Sequence, residues 1–258
     1  MSFSGSFRSE GIEMAMNKPR LAALKSSLAG TPIKGVLPAN QSIDAVWQHI
    51  MEGLEALAAN GQVDQVELNE NALTQRLFDE LQGNAGFRPF YFHKEFMQDE
   101  STGKSPRADL AVLPGKARPI VVNSISYAWP KPFLTLEAKR LPTPGHKRER
   151  EYLIGDGGGV ARFKLGDYAP QMTEVGLIGY VQRHSFEYWL KQINEWVDEL
   201  MATTQVDLPW DVLDKLKLEA ESKRLARLRS DNVRVSDKKR VTIRHLWVQL
   251  ANEATAAG

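Results

Sequence analysis

Apolar residues recur with a helical period in two early stretches. From Ser42 to Ala59, the residues Ile43, Val46, Trp47, Ile50, Leu54 and Leu57 follow helical spacing, and Asn60-Gly61 closes the element. A second helix is predicted from about Asn69 to Gln82, with Leu73, Leu77, Phe78 and Leu81 on one face and Gly83 as its C-cap. The period then changes. Phe87–Phe96, Arg107–Leu113 and Pro132–Leu141 are short apolar runs bounded by turn-forming residues and predict strands. The connection from Pro114 to Lys131 is long for a hairpin and predicts one more strand around Ile120–Ser126. A glycine-rich loop, Gly155–Gly159, precedes a predicted helix from Val160 to about Glu174 and a short strand, Val175–Gln182. Ser185 is placed to cap a helix in which Phe186, Trp189, Leu190, Ile193, Trp196, Val197, Leu200 and Met201 share a face. A further helix over Pro209–Arg229 and a final strand over Val241–Leu250 complete the reading.

This order of elements suits a mixed sheet flanked by helices, in the α/β or α+β class. The expected organisation is a loose arm over 1–40, rich in Ser, Gly and Pro, and a helical extension over 41–66. A core follows over 67–184, with C-terminal helices and a final strand packed on it over 185–258.

Composition narrows the function classes. With 42% apolar and 25% charged residues the chain has the chemistry of a globular protein with a normal core. No run approaches ~18 apolar residues, and the first residues lack a signal-peptide pattern, so no membrane span is expected and the cytoplasm is the expected location. The absence of cysteine excludes disulfides, thiolate metal sites and a cysteine nucleophile. The five histidines form no metal-spaced pair, and no G-x-S-x-G elbow occurs. Gly155–Gly159 lacks the Gly-Lys-Ser/Thr ending of a P-loop. The net charge is only +1, yet residues 139–164 hold seven Lys or Arg against three acids, and residues 223–245 hold nine against two. Two basic stretches in a near-neutral chain point towards a polyanionic partner.

Three charged positions interrupt the apolar pattern. In Phe133–Arg140, Glu137 and Lys139 share one face of the strand, because side chains alternate. Asp109 lies within the apolar strand Arg107–Leu113. Glu70 sits at the head of the helical stripe Leu73, Leu77, Leu81 instead of on the polar side. Each alone fits an ordinary ion pair or a first-turn acid favoured by the helix dipole.

Taken in order, a Glu on a helix, an Asp on a strand and Glu-x-Lys on the next strand resemble the PD-(D/E)XK nuclease superfamily. The resemblance covers roughly residues 67–183. Ala108 stands where the family name has Pro, with Pro106 displaced upstream. Arg162-Phe163-Lys164, Tyr168-Ala169 and Gly179-Tyr180-Val181 also look like pieces of small bacterial nucleases that accompany genome-defence genes. The resemblance implies a restriction-endonuclease-like fold, with a mixed central sheet flanked by helices and helical additions at both ends. It implies Mg²⁺-dependent hydrolysis of phosphodiesters, with Mn²⁺ able to substitute. Glu70, Asp109, Glu137 and Lys139 would be the catalytic set, and Asp109 and Glu137 the metal ligands. Arg140, Lys147, Arg148, Arg150, Arg162 and Lys164 are placed to grip flanking phosphates. The expected partner is nucleic acid, DNA before RNA, with room for a homo-oligomer or for partner subunits of a defence complex. The alternatives are a non-catalytic nucleic-acid-binding or scaffold subunit, or a protein-binding module.

Overall fold

The computed structural model describes residues 39–60, 68–83, 88–97, 105–145, 148–155, 158–166, 168–203 and 207–250. The expected arm over 1–40 lies outside them except for its last two residues, which begin a helix. Helices α1 (Ala39–Ala59) and α2 (Glu70–Gly83) lead into strands β1 (Phe90–Met97) and β2 (Arg107–Pro114). A small hairpin follows, β3 (Ile120–Val122) and β4 (Ile125–Tyr127), and then β5 (Leu134–Leu141). After it come α3 (Gly159–Leu165), β6 (Glu174–Val181), α4 (Phe186–Ala202), β7 (Lys217–Glu221), β8 (Leu225–Val233) and β9 (Arg240–Gln249).

Seven strands form one mixed sheet in the order β1-β2-β5-β6-β9-β8-β7. Strands β5, β6 and β9 run parallel, while the outer pairs are antiparallel. The parallel connection from β5 to β6 passes through α3, as a same-direction pair requires a crossover. Alternation along the central strands divides the core in two. Ile178 and Tyr180 of β6 face a cluster with Trp47, Ile50 and Leu54 of α1 and Leu73 and Leu77 of α2. Val175, Leu177 and Val181 of the same strand face Phe163 of α3 and Trp189, Ile193 and Trp196 of α4. The sheet is therefore covered on both faces. The first two helices approach closely, because a Cβ on Gly53 would stand 2.8 Å from Leu81 Cδ2.

Three expected elements differ. Pro209–Arg229 is not a helix but a 3₁₀ turn over Val212–Asp214 followed by β7 and the first half of β8. Its Leu, Ala, Lys, Glu and Arg residues favour a helix locally, but pairing of β8 with β9 along nine positions overrides that preference. The single strand expected around Ile120–Ser126 is a hairpin set apart from the main sheet. Its turn residues Asn123 and Ser124 have φ of 48° and 67°, the left-handed pair of a two-residue hairpin turn. The helix expected to reach Glu174 stops at Leu165, where Gly166 takes the left-handed cap conformation at φ 88°. No helix among the described residues is long and apolar enough to cross a membrane.

Candidate active site

Strand β5 lies between β2 and β6 in a sheet whose two faces are both covered, and such a strand is ordinarily a continuous apolar run. Glu137 and Lys139 break that run at 0% and 4% exposure. The register pairs Leu110 with Leu136 and Ala111 with Thr135, so one step further Asp109 stands opposite Glu137 on the same face. There the ladder gives way to a side chain, as the Ala138 N–H donates to Asp109 Oδ2 at 2.8 Å. This bond holds Asp109 against the middle of the Glu-x-Lys segment.

Glu70 reaches the same place from the first residue of α2. The Asn69 side chain accepts from Ala72 N–H at 2.9 Å and so caps the helix start. The Leu68 carbonyl accepts from Arg140 Nη1 at 3.2 Å and from Gln182 Nε2 at 2.9 Å, which ties the helix start to the ends of β5 and β6. Glu70 Oε1 then accepts from Lys139 Nζ at 2.9 Å. Lys139 Nζ lies 3.9 Å from Glu137 Oε2, and Arg162 of α3 donates to that same oxygen at 3.1 Å. The Arg162 guanidinium also covers the Tyr168 ring at 4.9 Å. The other oxygen, Glu137 Oε1, is buried and has no hydrogen-bond partner among the described residues.

Three carboxylates thus converge against two cations. Burial and the neighbouring Asp109 charge push the Glu137 carboxyl up to about 8, although Lys139 and Arg162 pull the other way. Burial also raises Glu70 and Asp109, again against Lys139. Burial draws Lys139 down, but Glu70, Glu137 and Asp109 together outweigh it and hold the ammonium above its ordinary range.

Among the described residues, no group of three or more His, Asp or Glu is arranged to hold a metal ion. The pair Asp109 and Glu137 still fits Mg²⁺, which binds through one or two carboxylates and keeps several waters. The orphaned Glu137 Oε1 is the observation that favours it, since a buried acceptor without a donor is costly and a cation would satisfy it.

The basic residues expected on phosphates divide. Arg148 is exposed and pairs with Glu151, while Arg150 pairs with Glu199 and lies over Trp196 at 5.7 Å. Arg140 and Arg162 are half-buried beside the carboxylates. Lys147 lies outside the described residues. Lys164 is not available to a phosphate. It is 1% exposed, bonded to Asp214 and covered by Trp210 at 4.4 Å, because α3 turns it into the interior. The second basic stretch lies mainly on β8 and β9; β8 is three strands from β5, about 14 Å across the sheet. Arg229 pairs there with Asp231 and Arg244 with Glu174. Sequence reasoning missed Gln182, which helps place Glu70, and the Arg162–Glu137 bond. A lone Gln after an apolar strand carries no visible signal, and the Arg162 bond joins residues 25 apart in sequence. Compared with known proteins, the chain matches no family model, no curated protein and no solved structure.

Proposed function

We propose that the chain is a metal-dependent nuclease of the PD-(D/E)XK type, with a restriction-endonuclease-like fold, acting on DNA. The observation that carries this reading is the buried Glu137, opposite Asp109 and two residues from Lys139, with one carboxylate oxygen left without a donor. A fully buried Glu and Lys on a central strand cost stability that two apolar residues would not, so a stabilising role explains them poorly.

Asp109 and Glu137 would hold Mg²⁺ and Glu70 a water in its outer shell. When bound, Mg²⁺ supplies charge neutralisation at the phosphate and lowers the pKa of coordinated water. Lys139 faces all three carboxylates and positions the attacking water. Its ammonium is favoured by their negative charge. With a metal on Asp109 and Glu137, their share of that charge is offset and Lys139 is drawn towards the free amine, the form that accepts a proton from water, while Glu70 stays as its hydrogen-bond partner. Arg162, held by Glu137 and Tyr168, borders the place where a phosphate would sit. Arg148 and Arg150 carry the flanking backbone.

The test is incubation of the purified protein with supercoiled plasmid, linear DNA and RNA, each with Mg²⁺, Mn²⁺ or EDTA. Cleavage of DNA in the metal arms and none in EDTA supports the reading. Metal-independent cleavage, or none in any arm, overturns it.

A further inference from the structure

Near the start of β5 lies a pocket of about 310 Å³, lined by Phe96, Met97, Tyr127, Lys131, Gln171 and Met172 among others. Its volume is at the lower end for small-molecule sites, which suits a single planar group. The lining is mainly aromatic, thioether and proline, with the exposed Gln171 amide, the Lys131 ammonium and the hydroxyl of the buried Tyr127 as its polar side-chain groups. One wall, residues 169–172, is fixed from behind. The buried Arg234, at 1% exposure, donates through Nη2 to the carbonyls of Ala169 and Met172. Ala169 itself is held at φ 48°.

The pocket connects to the carboxylates by two routes. Thr135 Oγ1 lies 3.5 Å from Met172 Sδ, and Thr135 shares its face of β5 with Glu137, two residues on. That spacing is about 7 Å along the strand, or about two nucleotides at about 3.4 Å of helix axis each, and the pocket lies beyond Thr135 on the side of Met172. The second route runs through Tyr168, whose ring lies under Arg162 and whose chain continues into Ala169.

We propose that this pocket receives a nucleobase swung out of its stack, a few nucleotides from the phosphate held over Asp109 and Glu137. The inference rests on the nuclease reading and adds the substrate group that the site reads. Phe96 and Tyr127 supply apolar and aromatic surface for the base, Gln171 offers both a donor and an acceptor to its edge, and Lys131 meets the adjoining phosphate. Because the wall is built before DNA arrives, binding spends its free energy on extrusion rather than on ordering the pocket.

The experiment uses the full chain with duplex oligonucleotides, each carrying one 2-aminopurine at a successive position, in Ca²⁺ to hold the complex uncleaved. Anisotropy of a labelled duplex reports binding, and 2-aminopurine emission reports unstacking. The expected result is a several-fold rise in emission at one position near the cut and little change elsewhere. Gln171→Ala and Phe96→Ala should each remove most of that rise while affinity for the duplex changes less than twofold. Gln171 is exposed, so its variant keeps the fold. No rise at any position, or a rise that persists in both variants, overturns the pocket assignment. With cleavage intact, such a result leaves the nuclease reading standing. Absence of both binding and Mg²⁺-dependent cleavage overturns the two together. A pocket that serves a protein segment instead would leave the emission flat at every position.

Discussion

Arg162 donates to one oxygen of Glu137 at 3.1 Å, while the other oxygen of the same buried carboxylate has no donor among the described residues. Arg162 thus serves one oxygen of Glu137, and the other is left for a proton or a cation. The first prediction follows from that asymmetry. Glu137 holds a proton in the folded chain up to about pH 8, whereas the unfolded chain releases it near the ordinary 4.5. Its contribution to stability is therefore full below about 4.5 and is lost as pH rises through about 8. Glu70 and Asp109 are shifted the same way. The melting temperature of the metal-free protein should fall between about pH 5 and pH 8, and Glu137→Gln should flatten that fall. Mn²⁺ added near pH 7 should raise the melting temperature and release protons, read by calorimetry in buffers of different ionisation enthalpy. Binding without proton release would contradict the assignment.

Ligand and base should fail differently. Asp109→Asn keeps an acceptor for the Ala138 N–H but loses the charge, so the chain folds and metal affinity and turnover drop together. The drop should exceed the roughly 10- to 100-fold that losing an outer-shell partner costs. Lys139→Ala should leave Mn²⁺ binding equal or tighter, while single-turnover cleavage falls by roughly 10² to 10⁴. Full activity in Lys139→Ala would refute its role.

Exposed and buried cations separate cleanly. Arg148→Ala with Arg150→Ala should weaken DNA binding and reduce its salt slope by about 0.9 for each phosphate that is no longer neutralised. An unchanged slope would mark both residues as surface ion pairs with Glu151 and Glu199.

Lys164 should behave in the opposite way. Lys164→Ala leaves Asp214 buried and unpaired, which costs about 3–5 kcal/mol of stability. Urea denaturation should show that loss, with the salt slope of DNA binding unchanged in conditions where the variant is folded. Lys164→Met with Asp214→Leu should recover much of the stability.

Helices over 42–59, 69–82 and 185–201 were legible because one apolar face at 3.6-residue spacing is a local property of the chain. The shared face of Glu137 and Lys139 was legible for the same reason, since alternation needs only the strand. The segment Pro209–Arg229 marks the limit of a local pattern. Its residues prefer a helix by themselves and become strands because β9 offers β8 a ladder and β8 in turn offers one to β7.

What the sequence by itself determined is therefore the set of chemical groups, Glu70, Asp109, Glu137 and Lys139, and the local element that carries each. Only the tertiary structure decided that Asp109 lies opposite Glu137, that Arg162 reaches the same carboxylate, and that Lys164, two residues further on, turns inward. Register, crossover and burial depend on partners tens of residues away, and no local pattern encodes them. Three neighbouring carboxylates lose solvation only when the sheet and α2 close around them, so the raised Glu137 pKa is a property of the assembled fold rather than of the residue.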